Sequence, residues 1–427
     1  MELKQRIIFF GIITVVFLLL QFLVFKTFRN YLNEKNLTSK IWKRISLYPF
    51  IIFSIPLLYM FVSKYIIIPK IIYDIYAIPF YIFQSSILFI ALYLLIGKII
   101  KFPFISIKYF VERIKPLKRK IHNLKSNKSV VKFDESRRAF IRTSTFVVSG
   151  LAFTGSGLGV IRKDDFDIRY REIIIPNLLE ELKGLKIVQI NDFHSGPFMS
   201  FEQMNLYCKV VNSLNPDLIL IPGDITNTLA QEVHPFIDAF KNLKSKYGVY
   251  ITLGNHDYFG NPEYVADKIT NDSPFKMLRN ESDVLKINGK NLILLGMEDT
   301  QSSGAKFSPV VTKNLDETVT SASKKFASMG FNYEETPKIL LYHKPYFFPL
   351  MLDKNIDLML SGHTHGGQIV LAKIGDFNFS IAAATSPYIS GLYKEKNSQM
   401  YISDGLGTVG LPLRLNCPPE ITVLTLV

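Results

Sequence analysis

An α/β domain carried behind a helical membrane region is the fold that the sequence predicts, and three observations predict it. Residues up to 161 contain long runs without a charged side chain. Beyond residue 167 the apolar runs shorten to strand length and alternate with stretches of helical periodicity. Five of the seven histidines stand directly after those short runs, in clusters with Asp, Asn and Gly.

Charge and hydropathy divide the chain in the same way. The 427 residues are 48% hydrophobic, with a net charge of +14 and a mean hydropathy of +0.19. Met1 to Thr143 hold 24 Lys and Arg against 6 acids, a net of +18, so the remainder carries −4. The basic charge travels with the apolar half rather than lining a groove, and no nucleic-acid partner is expected. Cys208 and Cys417 form no metal-type spacing; each reads as a small buried apolar residue, with a single disulfide between them left open.

Four stretches lack charge: Ile7 to Phe25, Ile45 to Ser63, Ile75 to Gly97 and Thr143 to Ile161. Each is long enough to cross the hydrocarbon of a bilayer, which takes about 20 apolar residues. Pro49, Pro56 and Pro79 are tolerable kinks in membrane helices. The fourth stretch is diluted by Gly150, Gly155, Gly157 and Gly159. It follows Ser136-Arg137-Arg138-Ala139-Phe140-Ile141-Arg142, which resembles the S-R-R-x-F-L-K consensus of bacterial twin-arginine export signals. Lys and Arg number 2 before the first stretch, 6 and 2 in the next two connections, and 14 in the loop of residues 98–142. By the positive-inside rule that last loop is cytoplasmic. Residues 1–161 are thus expected to be a multi-pass region of a bacterial inner membrane, with 162–427 a separate domain on the exo-cytoplasmic face.

In that domain, strands are expected at Leu185–Ile190, Leu218–Pro222, Val249–Leu253, Leu292–Leu295, Ile339–Tyr342 and Ile356–Leu360. Helix faces are expected along Met204, Cys208, Val211 and Leu214, and along Val233, Ile237, Phe240 and Leu243. Thr300–Thr336, rich in Ser, Lys and Asn, reads as an insertion or mobile surface segment beside the site.

The clusters after the strands are Asp192-Phe193-His194, Gly223-Asp224, Gly254-Asn255-His256-Asp257, Tyr342-His343-Lys344-Pro345 and Gly362-His363-Thr364-His365-Gly366-Gly367. Strand ends in an α/β sheet converge on one rim, so loops distant in sequence can share a pocket. Carboxylate, imidazole and amide oxygen suit divalent manganese, iron or zinc, and the set is large enough for two ions. His122 and His234 match no cluster and receive no role.

Taken in order, the five clusters resemble the calcineurin-like metallophosphoesterases, whose pattern is D-x-H, G-D, G-N-H-[DE], H and G-H-x-H. The likeness runs from Ile173 to Val427. The flanking Leu182-Lys183-Gly184-Leu185-Lys186, Asp404-Gly405-Leu406-Gly407 and Pro412-Leu413-Arg414 are similar to the membrane-associated or twin-arginine-exported bacterial branch, which includes envelope phosphodiesterases and enzymes acting on UDP-diacylglucosamine. The resemblance implies a four-layer αββα sandwich. It also implies one metal on Asp192, His194, Asp224 and His365 and a second on Asp224, Asn255, His343 and His363, with Asp224 bridging. His256 is implied as the non-ligand acid at the leaving oxygen, with Asp257 its orienting partner. Many relatives carry G-D-x-x-D-R at the second block; here Ile225, Thr226, Asn227 and Thr228 follow Asp224. Asn227 and Arg414 are therefore the candidates for gripping phosphate.

The expected activity is hydrolysis of a phosphodiester, pyrophosphate or phosphomonoester of an envelope or lipid-linked substrate, by attack of a hydroxide bridging two divalent ions. Two other readings were weighed: a non-catalytic metal-binding scaffold, and a membrane sensor or transporter with an accessory domain. Seven intact ligand positions argue against the first, and spans without internal charge against the second. Oligomeric state and metal identity are not legible.

Overall fold

The computed structural model describes residues 3–34, 39–57, 70–111, 113–114, 128–299, 309–375 and 377–427. It divides into two compact units, Met1–Ile161 and Arg162–Val427.

The first unit is helical: α1 (Leu3–Glu34), α2 (Lys40–Ile45), α3 (Tyr48–Ile52), α4 (Lys70–Val111) and α5 (Lys128–Ile161). Among the described residues three helical stretches are long and apolar enough to cross a membrane, namely Gly11–Asn33, Ile75–Val111 and Val131–Ile161. The second expected segment behaves differently. It enters as α2 and the short apolar stretch Tyr48–Leu57, and residues 58–63 lie outside the described residues. The helix stops at Ile52, four residues before Pro56. A proline removes one hydrogen bond and its ring collides with the carbonyl four residues back, which accounts for the break. Inside this unit Gln21 Nε2 donates to Gln84 Oε1 at 3.0 Å, Ser54 Oγ donates to Gln21 Oε1 at 2.8 Å, and Gln84 Nε2 donates to the Phe53 carbonyl at 2.5 Å.

The second unit contains two mixed sheets. The first, in spatial order, joins β1 (Asp167–Ile173), β14 (Glu420–Leu426), β2 (Lys186–Gln189), β3 (Leu218–Pro222), β4 (Val249–Thr252) and β5 (Lys276–Met277). The second joins β12 (Gly391–Glu395), β13 (Ser398–Ile402), β9 (Leu358–Ser361), β8 (Lys338–Leu341), β7 (Lys290–Gly296) and β6 (Glu281–Ile287). A small hairpin, β10 (Ala372–Ile374) with β11 (Phe377–Phe379), stands apart from both.

Strand alternation builds the layers. Leu218 and Leu220 of β3 face Leu292, Leu294, Ile339 and Leu341 of the other sheet, closing an inter-sheet core. Ile219 and Ile221 point the opposite way, against α6 (Phe201–Ser213), α7 (Val233–Phe240) and α8 (Pro262–Asp272) through Tyr207, Cys208, Phe236, Phe240 and Ile269. On the far side Ile293, Leu295, Leu340 and Met359 pack on α9 (Pro309–Ser328). The result is the expected four-layer αββα sandwich. Strands buried on both faces read as unbroken apolar runs, which is why β3 and β8 were legible.

Thr300–Thr336 differs from the expectation of an insertion or mobile segment. Residues 300–308 lie outside the described residues, but 309–328 form α9, a 20-residue helix burying Val311, Leu315, Thr318, Ala322 and Phe326. Those five recur at helical spacing, but two of them are Thr and Ala, so the stripe is too weakly apolar to stand out from the surrounding Ser and Lys.

Candidate active site

Every cluster sits in the loop just past a central strand: Asp192 and His194 after β2, Asp224 after β3, Asn255 after β4, His343 after β8, and His363 and His365 after β9. The backbone then zips the loops together. His194 N donates to the Asp224 carbonyl, Ser195 N to the Ile225 carbonyl, and Gly362 N to the His343 carbonyl. Gly223 and Gly254 permit close approach of the second loop to the third. A Cβ on Gly254 would lie 2.2 Å from Asp224 Oδ1, and one on Gly223, which has φ +85°, would lie 2.5 Å from Gly254 N.

Five site residues hold left-handed backbone: Asp192, His194, Asp224, His363 and His365, with φ between 46° and 74°. Such conformations cost about 1–3 kcal/mol each and persist where the surroundings over-determine them. Here the interlocked loops do so, and the strain turns side chains from both sheets toward one point.

The donor atoms converge. Three sets lie with ligand atoms within 4.8 Å of one another: Asp192, His194 and His365; His194, Asp224 and His256; Asp224, His343 and His363. His194 Nε2 and His365 Nε2 are 2.9 Å apart, and His365 Nε2 is 3.6 Å from Asp192 Oδ1. His343 donates from Nδ1 to the Pro222 carbonyl at 2.8 Å, which leaves Nε2 directed at Asp224 Oδ2, 3.0 Å away, without making a hydrogen bond. Asn255 Oδ1 is likewise buried without a hydrogen-bond partner. Buried polar atoms are rarely left so, and atoms that ligate a cation are the natural exception.

The electrostatics agree. Burial alone would raise the carboxyls of Asp192 and Asp224; His365 and His343 around the first, and His343 and His256 around the second, outweigh it and hold both well below the carboxylate range. Burial would lower His343, but the charges of Asp224 and Asp192 push it up to about 10. Burial and the neighbouring His343 push His363 down to about 3. Beside the two buried carboxylates, His194, His363 and His365 are held down as neutral imidazoles, a donor set that suits divalent cations. The residues present fit such a centre.

Three expected roles change. Asp257 does not touch His256. Its carboxylate accepts from Ile225 N, Thr226 N, Thr226 Oγ1 and Gly254 N, tying the second loop to the third. His256 is oriented instead by the Asn227 carbonyl, 2.7 Å from Nδ1, so a main-chain oxygen does the work expected of an acid. The Asn227 side chain meanwhile donates to Thr228 Oγ1. Arg414 is 4% exposed and commits its guanidinium to the carbonyls of Asp404, Gly405, Gly407, Cys417 and Pro418 and to His365 Nδ1 at 3.3 Å. With its five N–H groups so engaged it braces the loop behind His365 rather than gripping phosphate.

Other supports had no sequence signal. Glu232 Oε2 accepts from three successive amides, Asn227, Thr228 and Leu229, at 2.7–2.9 Å, and so holds the loop whose carbonyl orients His256. Arg169 bridges buried Asp404 and Glu420 at 2.8 and 2.7 Å. Cys208 and Cys417 are free and buried, and Cys417 Sγ donates to the His365 carbonyl at 3.1 Å. His234 contacts Tyr264 OH at 2.8 Å away from the site; His122 lies outside the described residues.

Comparison with known proteins agrees with this geometry. Residues 185–367 match the calcineurin-like phosphoesterase family. A transmembrane protein with metallophosphoesterase domain from Danio rerio is 28% identical over 312 residues, 69% of this chain and 63% of that one. An uncharacterized metallophosphoesterase of Helicobacter pylori is 34% identical over 59% of this chain and 62% of its own, and one of Bacillus subtilis is 28% identical over 68% of this chain and 97% of its own. The chain thus spans under two thirds of the length of the first two. Among solved structures, the NAD nucleotidase of Haemophilus influenzae superposes with a TM-score of 0.34 at 18% identity over 52% of this chain and 50% of that one, too weakly to bear on function. Residues 185–367 are thus similar to the calcineurin-like phosphoesterases, and the relatives that the chain matches are named metallophosphoesterases.

Proposed function

We propose that residues 162–427 hydrolyse a phosphate ester or anhydride at a binuclear divalent-metal centre. The observation that carries this reading is the convergence of Asp192, His194, Asp224, His343, His363 and His365 in overlapping sets of ligand atoms, with His343 Nε2 and Asn255 Oδ1 buried without a hydrogen-bond partner. One ion is assigned to Asp192, His194, Asp224 and His365, the other to Asp224, Asn255, His343 and His363. When bound, such ions lower the pKa of water and offset charge on the phosphate oxygens. His256, half-exposed at the mouth and held through Nδ1 by the Asn227 carbonyl, keeps Nε2 free to give a proton to the leaving oxygen. Asn255 and His363 are likewise only partly buried, so this side of the site meets solvent.

The location follows from charge. Assigning the loop of residues 98–142, with its 14 Lys and Arg, to the cytoplasm puts 162–427 on the opposite face after one crossing by the Val131–Ile161 helix, whatever the second apolar segment does. The Arg137-Arg138 pair on that helix is the feature that the twin-arginine export machinery would read. An envelope phosphoester, lipid-linked in kind, is the substrate class that this placement favours.

The test is the full chain purified in detergent with manganese, measuring bound metal together with hydrolysis of bis-p-nitrophenyl phosphate and p-nitrophenyl phosphate. About two ions per chain are expected, with turnover lost in His363→Ala. A folded protein that binds no metal refutes the centre.

A further inference from the structure

Leaving out the metal site, the most unusual surface of the second unit is one short segment. Among its described residues the three most exposed large apolar side chains are Ile381 (73%), Ile374 (68%) and Leu371 (66%), all within eleven positions. Phe379 adds a ring that is 46% exposed. They belong to the β10–β11 hairpin and its immediate flanks.

The pairing register explains how the hairpin presents them. Ala372 pairs with Phe379 and Lys373 with Asn378. Cross-strand partners share a face and neighbours alternate, so Ala372, Ile374 and Phe379 lie on one face and Lys373 and Asn378 on the other. Asn378 is buried and donates from Nδ2 to the Gly366 carbonyl at 3.0 Å, while Ser380 packs on Gly367. The polar face is therefore bolted to the loop that carries His365, and the apolar face turns outward. A two-stranded hairpin is marginal in water by itself, and this one exposes its apolar side.

We infer that this hairpin seats in the interfacial layer of a lipid bilayer, next to the loop that carries His365. Two facts favour lipid over a protein partner. The residues 371–384 contain only Lys373 and Asp376 as charges, and Lys373 lies on the face opposite Ile374 and Phe379, so the apolar face can enter an interface without carrying Lys373 into it. The domain is also tethered near a bilayer by covalent reach alone: Ile161 ends the last candidate span and Asp167 begins β1, and six residues extend to about 20 Å. Phe259, 39% exposed, adds an apolar side chain at the site itself, its ring 4.6 Å from that of His256. On the hydrolytic reading above, this arrangement selects phosphoesters presented at a membrane surface; the docking itself does not depend on that reading.

The full chain in lipid nanodiscs tests the inference. Trp42 is the chain's one tryptophan, so a Trp42→Phe background leaves the signal to Ile374→Trp or Ile381→Trp, with Met329→Trp, at another exposed position of the domain, as reference. Loss of hairpin emission on brominated phosphatidylcholine, with protection from iodide, is expected, and the reference should respond to iodide alone. Iodide quenching equal to the reference overturns the docking. So does protection from both quenchers, which would mean that a second copy or another protein covers the hairpin. A second measurement uses Ile374→Asp with Ile381→Asp: hydrolysis of a long-chain alkyl p-nitrophenyl phosphate in the nanodisc should fall while that of soluble p-nitrophenyl phosphate holds. Equal rates for both esters relative to the parent chain overturn the substrate presentation, whereas absence of all hydrolysis in the parent refutes the enzyme and leaves the quenching result to decide the docking.

Discussion

The two units of this protein bury opposite kinds of side chain. In residues 1–161 Ile12, Leu19, Phe22 and Ile99 are 60–70% exposed, while Gln21, Gln84, Ser85, Ser86 and Ser156 are at most 3% exposed. In 162–427 the strands bury Leu218, Ile219, Leu294 and Leu340 completely. The difference teaches which solvent each unit folds against. Lipid is as apolar as leucine, so apolar side chains gain nothing by leaving it and polar groups must find each other. Water drives the reverse. Among the departures of the second unit from its own rule are the metal site, where polar groups are inside, and the 371–381 hairpin, where apolar groups are outside. Both are the places assigned a function.

Changes at the site should have the largest effect. Asp224→Asn removes the carboxylate common to both ligand sets, and metal affinity should fall by more than the roughly 10–100-fold typical of an outer-shell change; metal analysis after dialysis reads this, and full retention of metal would refute the bridging role. His256→Ala should lower turnover by roughly 10²–10⁴-fold at unchanged metal content. Metal loss in that variant would make His256 a ligand, as its place beside His194 and Asp224 allows.

Next come the two interiors. Phe326→Ala opens a cavity between α9 and the second sheet and should cost roughly 3–5 kcal/mol, whereas Phe22→Ala, at 61% exposure in the lipid-facing helix, should cost under about 1 kcal/mol in bilayers. Hydrogen exchange in nanodiscs compares the two directly, and equal losses would break the contrast between the units. The smallest effect belongs to Gln84→Leu. It gives up the hydrogen bonds to Gln21 and the Phe53 carbonyl, for about 0.6–1.7 kcal/mol, as steric trapping in bicelles can measure; no change would mean that the two glutamines do not hold α1 to α4.

Much of the site was legible because its chemistry needs rare residue types directly after strands. Asp192, His194, Asp224, Asn255, His343, His363 and His365 are all legible in their clusters, and the structure brings the six acids and imidazoles among them together. The second-level roles were not legible. The partner of His256 is the backbone oxygen of Asn227, and a carbonyl exists at every residue, so no side chain announces it. Arg414 has the chemistry of a phosphate clamp, and only its neighbours decide that its donors are consumed by carbonyls. Strands β1, β6, β12 and β13 escaped notice because several of their residues are polar or partly exposed, which weakens the apolar run that marked β3. Helix α9 escaped for the same reason.

By itself the sequence determined which segments are apolar enough to cross a membrane, the α/β rhythm, and the ligand inventory, because hydropathy, periodicity and residue chemistry are local properties. Only the tertiary structure decided the pairing order of the two sheets, the use of Asp257, Glu232 and Arg414 as braces, and the exposure of the hairpin beside Gly366. Those depend on which atoms from distant segments lie within hydrogen-bond reach and on which surface remains uncovered. Neither quantity exists until the chain has folded.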